Sequence, residues 1–139
     1  MTRTPGPAPA LALGIGCDRD TPAATIAQAI AEALAACGAT LEDVAVVASI
    51  DLKADEAGLL EIARQRGWTI RFFSAAQLAQ VAVPNPSEVV RRHTGTPSVS
   101  EAAALLAGGV DMHHLLVEKH RLRGPDSRNA TVSIARISS

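Results

Sequence analysis

An apolar run that stops abruptly at a cluster of polar residues constrains the fold of this chain more than any other stretch. Residues 44–50 read Val-Ala-Val-Val-Ala-Ser-Ile, and Asp51, Lys53, Asp55 and Glu56 follow at once. Such a run, rich in β-branched residues, is typical of a strand buried on both faces of a parallel sheet. Ligands of open α/β sheets bind beyond the carboxyl ends of the strands. The sequence therefore predicts a site at the end of this strand.

The polar residues at this strand end have several interpretations. Asp55 immediately precedes an apolar-periodic segment, where an aspartate commonly caps a helix. Asp51 and Glu56 are candidate catalytic carboxylates, although Lys53 would hold them ionised rather than prepare either for acid catalysis. Ser49, near the end of the strand, is a further candidate for contact with a ligand.

Composition limits the size of the fold and the kinds of partner. The chain has 139 residues, 47% of them hydrophobic, and a formal net charge of -1. This length suits one domain with one core, which we place at residues 10–139 after a flexible, proline-rich tail at residues 1–9. The charge and the scarcity of aromatic residues argue against a nucleic-acid partner. No apolar stretch is long enough to span a bilayer, so we expect no membrane partner.

The cysteines, the histidines and the first residues indicate a reduced, metal-free protein. Cys17 and Cys37 are too few for a zinc motif, and we interpret them as reduced thiols. His113, His114 and His120 lack the spacing of a ligand set, because adjacent strand residues point to opposite faces. The first residues lack the apolar core of a signal peptide. We therefore predict a cytoplasmic protein without a metal or another cofactor.

The first strand ends in a glycine-containing segment that resembles an anion site. Residues 10–16 form the predicted strand, and Gly14, Gly16 and Cys17 lie where the backbone would turn tightly before the next helix. A cysteine at a helix start has a lowered pKa. We nevertheless favour a structural or ligand-lining Cys17 over a catalytic one. A dinucleotide site is disfavoured, because no third glycine in register and no Walker lysine follow.

The next segments continue the alternation of strand and helix. Residues 56–67 have apolar residues at helical spacing, and residues 68–73 form the next predicted strand. Strands joined by helices of this length are typical of a parallel sheet. Ser74 and Gln77 have the spacing of a capping box, which predicts a short helix at residues 75–80.

Two stiff, proline-containing loops follow and carry more candidate lining residues. The first contains Asn85 and Ser87, and the second contains Thr96 and Ser98. Neither loop continues a helix, because each proline disfavours α geometry in the residue before it. Ser98 and Glu101 also have capping-box spacing. The predicted helices of this region cover residues 88–93 and 99–107.

The last two predicted strands, residues 114–117 and 131–137, flank a basic segment. The second strand alternates apolar and polar residues as an edge strand does. We interpret the connection between them as a loop that suits a carboxylate- or phosphate-rich ligand, or is merely solvated. Its positive charge is concentrated at Lys119, Arg121, Arg123 and Arg128.

Several segments together resemble the family formed by CobE proteins and the C-terminal domain of CbiG, both of cobalamin (vitamin B12) biosynthesis. They span almost the whole chain after the tail, and their joint match is specific. The chain resembles a free-standing CobE most. The matching segments are Gly-Ile-Gly-Cys at 14–17, Ala-Ser-Ile-Asp-Leu-Lys-Ala-Asp-Glu at 48–56, Phe-Phe-Ser at 72–74, Pro-Asn-Pro-Ser at 84–87, Gly-Thr-Pro-Ser-Val-Ser-Glu-Ala-Ala-Ala at 95–104 and Ala-Thr-Val-Ser-Ile-Ala-Arg at 130–136.

The resemblance implies a fold and a class of ligand. The expected fold is a three-layer α/β/α sandwich with a mostly parallel or mixed sheet of about five strands. The expected ligand is a corrinoid or precorrin intermediate, a large ring fringed by carboxylates that amides and basic side chains can hold. The predicted lining residues are Gly14, Gly16, Cys17, Ser49, Asp51, Lys53, Glu56, Asn85, Ser87, Thr96, Ser98 and Lys119.

Three functions remain open at this point. The first is a protein that binds a corrinoid intermediate as a carrier or accessory factor in the oxygen-dependent pathway. The second is a lactone hydrolase of the same pathway, because CbiG opens the δ-lactone of cobalt-precorrin-5A. In that case Asp51 or Glu56 would activate water, and Lys53 would stabilise an oxyanion. The third is a subunit that docks onto a pathway enzyme through an apolar patch.

Overall fold

The predicted strands form one mixed sheet in the structure, a computed structural model that describes residues 10–137. The order of the five strands is β3-β2-β1-β5-β4. The first three strands are parallel, and β5 is antiparallel to both β1 and β4. The predicted tail at residues 1–9 lies outside the described residues. The strands are β1 (Leu11–Cys17), β2 (Val44–Ile50), β3 (Ile70–Phe73), β4 (Leu115–Arg123) and β5 (Asn129–Arg136), and the helices are α1 (Ala23–Ala36), α2 (Ala57–Arg66), α3 (Ala75–Ala79), α4 (Glu88–Thr94) and α5 (Val99–Gly108).

Helices cover both faces of the sheet, which gives the expected three layers. Large residues of one face, such as Leu13, Ile15 and Ile134, pack in a core with α1 and α2. Smaller residues of the other face, such as Ala12 and Ala48, pack against α5 and its neighbours. The layer beside α1 and α2 consists mostly of branched side chains, whereas the layer beside α5 combines alanines with a few larger side chains such as Ile50 and Leu105. The α/β prediction is confirmed.

Gly14, Gly16 and Cys17 all belong to β1 and not to a turn, so that part of the interpretation was wrong. Gly14 faces α5. It lies within β1, opposite Ala48 of β2 and Ser133 of β5. A methyl group at this position would lie 1.8 Å from the carbonyl oxygen of Ser100. The absence of a side chain allows α5 to cross β1 at very short range.

The C-terminal half of the sheet differs from the prediction in two ways. β5 is a central strand, because it pairs with β1 on one side and β4 on the other. The basic segment is largely strand, and only residues 124–128 connect β4 to β5. Lys119 and Arg121 therefore have positions fixed by a sheet instead of a solvated loop.

Two of the three proposed helix caps do not form. The capping box of Ser74 and Gln77 is confirmed at the start of α3. Ser98 precedes α5 but makes no side-chain capping bond. Asp55 is not the N-cap of α2, which is Glu56, and it forms an ion pair with Arg19 instead. Within residues 10–137, no helix is long and apolar enough to cross a membrane.

Candidate functional site

A cavity of about 620 Å³ lies at the edge of the sheet where β1 and β2 end. Its floor is a row of three residues on adjacent strands. Gly16 of β1 lies opposite Thr131 of β5, which in turn lies opposite Arg121 of β4. Gly16 has no side chain to fill the space above it, so the floor is uncovered here. Nearer the middle of β1, at Gly14, α5 covers the same face of the sheet.

Three other segments complete the walls of the cavity. The start of α5 contributes Ser98, Val99 and Ser100. A 3-10 turn directly after β2 contributes Lys53 and Leu52. Helix α4 contributes the apolar side chains of Val89 and Val90, together with His93 and Thr94.

The rim of the cavity is partly apolar. Leu52 is 54% exposed and Val89 is 61% exposed, and both line the cavity, one from the turn after β2 and the other from α4. Large apolar side chains this exposed are informative when they border a concave site. They give the mouth of the cavity a surface that fits an apolar or flat ligand.

The cavity concentrates positive charge in a chain whose formal net charge is -1. Among the described residues, its wall contains four cations and a single carboxylate, Asp18. That carboxylate accepts bonds from the backbone N–H and the side-chain amide of Asn129. The site therefore favours an anionic ligand. The cations are Arg19, Lys53, Lys119 and Arg121.

The four cations differ in how strongly the protein already engages them. Arg19 donates to both Asp55 and Glu56, and Lys119 donates to the backbone oxygen of Asn85 at 3.2 Å. Lys53 lies 3.6 Å from Glu56. The guanidinium of Arg121 makes no ion pair or hydrogen bond within residues 10–137, so it is the cation most available to a ligand.

Glu56 connects the loops that follow β1 and β2. Its side chain is 1% exposed and accepts a hydrogen bond from the backbone N–H of Asp20 at 2.7 Å. The guanidinium of Arg19 donates to its other oxygen at 3.0 Å, and Lys53 lies close to the same oxygen. A carboxylate with this many donors around it is a structural anchor.

Cys17 borders the cavity, but its thiol is poorly suited to nucleophilic catalysis. Burial raises the pKa of the Cys17 thiol to about 11, and the nearby Lys53 only partly opposes this effect. The lowered pKa expected for a thiol at a helix start is therefore wrong. Cys17 lies at the end of β1, six residues before α1 begins, and its half-buried side chain packs against the core on the α1 side of the sheet. The thiol form predominates at neutral pH.

The structure brings five of the predicted lining residues together. They come from four separate segments of the chain and meet only in the folded protein. Gly16 lies in the floor and Lys53 and Ser98 lie in the walls, while Cys17 follows Gly16 on β1 and Lys119 precedes Arg121 on β4. Those five are Gly16, Cys17, Lys53, Ser98 and Lys119.

Four other predicted residues lie near the same strand ends but outside the cavity wall. Gly14 is covered by α5, and the Ser49 hydroxyl is buried and donates to the backbone oxygen of Ile15. Asp51 is exposed to solvent, and Glu56 is the anchor described above. Thus neither candidate base borders the cavity.

The remaining predicted residues organise the loops beside the cavity. Asn85 donates its amide to Glu101 at 2.7 Å and to Glu118 at 3.0 Å. Ser87 caps α4 by accepting a bond from the N–H of Val90. Thr96 is buried.

Sequence reasoning missed Arg19, His93 and the apolar residues of α4 as parts of the site. Arg19 was overlooked because its partner Asp55 is 36 positions away in the chain. His93 and Val89 lie on a short helix that resembled ordinary surface, and nothing in their spacing indicates that α4 borders a cavity. Among the described residues, no group of three or more His, Cys, Asp and Glu side chains is arranged to hold a metal ion.

Comparison with known proteins gives a consistent result. Residues 11–135 match the protein family described as cobalamin synthesis G C-terminus. The chain is 39% identical over 123 residues to the cobalt-precorrin-5A hydrolase of Priestia megaterium, an alignment that covers 88% of this chain and 31% of that protein. It is 38% identical over 97 residues to protein CobE of Sinorhizobium sp, covering 68% of this chain and 63% of that one. The chain thus spans less than two thirds of either relative.

The fold is also similar to a solved structure. The crystal structure of CobE, a protein from the cobalamin (vitamin B12) biosynthetic pathway, aligns with a TM-score of 0.74 and 35% sequence identity. The alignment covers 96% of this chain and 95% of that chain. The resemblance noted from the sequence is therefore confirmed.

Proposed function

The chain belongs to the cobalamin synthesis G C-terminal family, and from this premise we propose that its cavity binds a corrinoid or precorrin intermediate of cobalamin biosynthesis. In this proposal the protein acts as a carrier or accessory factor in the cytoplasm. It receives the intermediate from one pathway enzyme and passes it to another.

The observation that carries the proposal is the combination of charge and shape in the cavity. Corrinoid intermediates have a large, largely apolar ring with carboxylates around its edge. Arg121 and Lys119 project from β4 into the cavity, and Lys53 approaches from the end of β2. These cations suit the carboxylates, while Leu52 and Val89 suit the face of the ring. A cavity of about 620 Å³ is within the range of small-molecule sites, roughly 300–1,000 Å³.

The same geometry favours binding over hydrolysis. A hydrolase needs a base within reach of a water molecule at the substrate. Asp51 points to solvent, and Glu56 is surrounded by donors away from the cavity wall. The Cys17 thiol is held in its protonated form by burial, which raises its pKa. The Priestia megaterium relative is named as a hydrolase, but this chain aligns with 31% of that protein.

A titration followed by visible absorbance tests the proposal. We expect hydrogenobyrinic acid, a cobalt-free corrinoid, to change its spectrum on binding and to co-elute with the protein in gel filtration at one equivalent. Arg121→Ala should weaken binding about tenfold or more, because a cation that contacts a carboxylate is lost. The matched control is Arg66→Ala, which removes an exposed arginine of α2 far from the cavity.

Two outcomes would contradict the proposal. One is the absence of any saturable spectral change or co-elution with the native protein. The other is equal loss of affinity in Arg121→Ala and Arg66→Ala, which would indicate general attraction between charges instead of a defined site. If the protein converted a lactone-bearing precorrin during the titration, the hydrolase function would replace the carrier function.

A further inference from the structure

We propose that the start of α5, together with the hydroxyl of Ser98, is a subsite that binds one carboxylate of the ligand. The subsite lies in the wall of the cavity at the end nearest the sheet. This inference deepens the proposed function, because it specifies a group that the ligand must present and the protein atoms that receive it.

The direction of α5 places its amide groups at the cavity. Ser100 lies over Gly14, and Gly108 at the other end of the helix lies next to Ala12, so α5 runs antiparallel to β1. The first turn of α5 therefore lies above the open floor. A methyl group added to Gly16 would lie 3.7 Å from the side chain of Val99. The partial positive charge of the helix N-terminus is directed at this space.

The amides of the first turn have no partners of their own. An α-helix leaves the N–H groups of its first residues unbonded, and a capping side chain normally accepts from one of them. Ser98 occupies the capping position of α5 but forms no such bond. Within residues 10–137, the N–H groups of Val99, Ser100 and Glu101 donate to no acceptor.

A buried hydroxyl without a partner is the second observation. Ser98 lines the cavity and is 0% exposed, yet its Oγ has no hydrogen-bond partner among the described residues. Native proteins rarely leave a buried hydroxyl unbonded, because no hydrogen bond then offsets the free-energy cost of removing the hydroxyl from water. The nearby Thr96 Oγ1 is buried and unbonded as well. A ligand that accepts hydrogen bonds would satisfy both the hydroxyl of Ser98 and the amides.

The charge around this subsite suits a carboxylate. Lys53, Arg121 and Lys119 line the same cavity. The buried carboxylate of Glu101, in the same turn, does not line the cavity: its Oε2 accepts from the amide of Asn85, and its Oε1 has no hydrogen-bond partner among the described residues. A carboxylate in the first turn of α5 would thus receive backbone N–H bonds and a hydroxyl bond, while cations contact other carboxylates of the same ligand.

Nuclear magnetic resonance on the full chain gives the direct test. We expect sodium propionate, added at constant ionic strength in exchange for sodium chloride, to shift the amide proton signals of Val99 and Ser100 downfield. The amide signal of Gln77, at the start of α3 and already bonded to Ser74, is the internal control and should not move. Because this probe is a single carboxylate, the readout does not depend on corrinoid binding.

Substitution of Ser98 gives a second test with the corrinoid itself. Ser98→Asp places a carboxylate on the subsite and should weaken hydrogenobyrinic acid binding about tenfold or more. Ser98→Ala removes only the hydroxyl. It replaces Ser98→Asp in this test if the aspartate variant does not fold, and it should also weaken binding. The matched control is Ser74→Asp, which adds the same charge at the capping position of α3, outside the cavity.

The outcomes separate the subsite from the proposed function. If propionate shifts Val99 and Ser100 but no corrinoid binds, the subsite stands and the proposed function fails. If hydrogenobyrinic acid binds the native protein and the Ser98 variants equally, without moving the two amide signals, the subsite is overturned and the proposed function stands. If neither probe moves these signals and no corrinoid binds, both are overturned.

Discussion

Gly14 and Gly16 lie two positions apart on the same face of β1, yet α5 gives them very different surroundings. A methyl group on Gly14 would lie 1.8 Å from the oxygen of Ser100 and 2.6 Å from the nitrogen of Ala104. A methyl group on Gly16 would meet only the side chain of Val99, at 3.7 Å. The first glycine is required for helix packing, and the second keeps the floor of the cavity open.

Alanine at Gly14 should therefore destabilise the protein strongly. The added methyl group would overlap backbone atoms of Ser100 and Ala104, so α5 would have to shift away from β1. We expect Gly14→Ala to lower the free energy of unfolding by about 1–3 kcal/mol or more, measured by urea denaturation.

Gly16→Ala is the matched control for this prediction. It should change the free energy of unfolding by less than about 0.5 kcal/mol, because its methyl group makes an ordinary contact. It should nevertheless weaken ligand binding, since it fills part of the floor. Equal stability of the two variants would contradict the close crossing of α5 over β1.

At the scale of elements, α4 and α5 both line the cavity but differ in how deeply they are buried. All residues of α5 from Val99 to Leu105 are buried, whereas α4 has no buried residue. Helix α4 begins at the cap of Ser87 and ends at Gly95, whose φ of 84° is a left-handed conformation that favours glycine. A short helix without buried residues opens at low free-energy cost.

Hydrogen exchange should reveal this difference. We expect the hydrogen-bonded amides of α4 to exchange at least about a hundredfold faster than those in the middle of α5. Hydrogenobyrinic acid should slow exchange in α4 selectively, because Val89, Val90 and His93 line the cavity. Equally slow exchange in both helices of the unliganded protein would contradict this account.

At the scale of the whole molecule, charged contacts tie together loops from distant parts of the chain. The Arg19 guanidinium beside Asp55 holds the pKa of that carboxyl below its usual value. A hydrogen bond from His120 on β4 lowers the pKa of Glu32 on α1, and the backbone N–H of Arg128 lowers the pKa of Asp126. These ion pairs are mostly exposed, so each contributes little by itself.

Stability should consequently fall in acid. A carboxyl whose pKa is lower in the folded protein than in the unfolded chain stabilises the fold above its unfolded pKa, which is about 4 for Asp and Glu. That contribution is lost as the pH falls through the folded pKa. We expect the free energy of unfolding, measured by urea denaturation, to be highest near neutral pH and to decrease below about pH 4.

Asp55→Asn tests the contribution of one of these pairs. The variant should be less stable than the native protein at neutral pH, because Arg19 loses an ionised partner. The difference should shrink in acid, where Asp55 of the native protein becomes protonated. A difference that stays constant between neutral and acidic pH would contradict the role of this ion pair.

Much of the fold follows from local patterns in the sequence. The run at residues 44–50 forms β2 with the expected bounds, and its second half, residues 47–50, is buried on both faces, which needs consecutive residues without charge. Helices α1 and α2 follow from apolar residues at helical spacing. Ser74 caps α3 as expected, since a cap depends on residues only three positions apart.

Local patterns failed where distant segments decide the environment of a residue. Residues 118–123 contain so many polar side chains that they resemble a loop. They form a strand because they pair with β5. One face of this strand directs Lys119 and Arg121 to the cavity, and His120 on the other face bonds to Glu32 of α1. The edge pattern of β5 was misleading for a similar reason, because its polar Ser133 bonds to Ser100 of α5 within the core.

The candidate site, too, was predictable from local sequence patterns only in part. The sequence by itself determined that polar residues follow β2 and that Lys53 is among them, because strand ends and turns are encoded by neighbouring residues. Only the tertiary structure decided that Lys53 lines the cavity while Asp51 faces solvent and Glu56 anchors the loops. The physical reason is that distant segments decide both placements. Glu56 bonds to Arg19 and Asp20, 37 and 36 positions away. Helix α5 crosses Gly14, 86 positions before Ser100, and so borders the open end of the sheet.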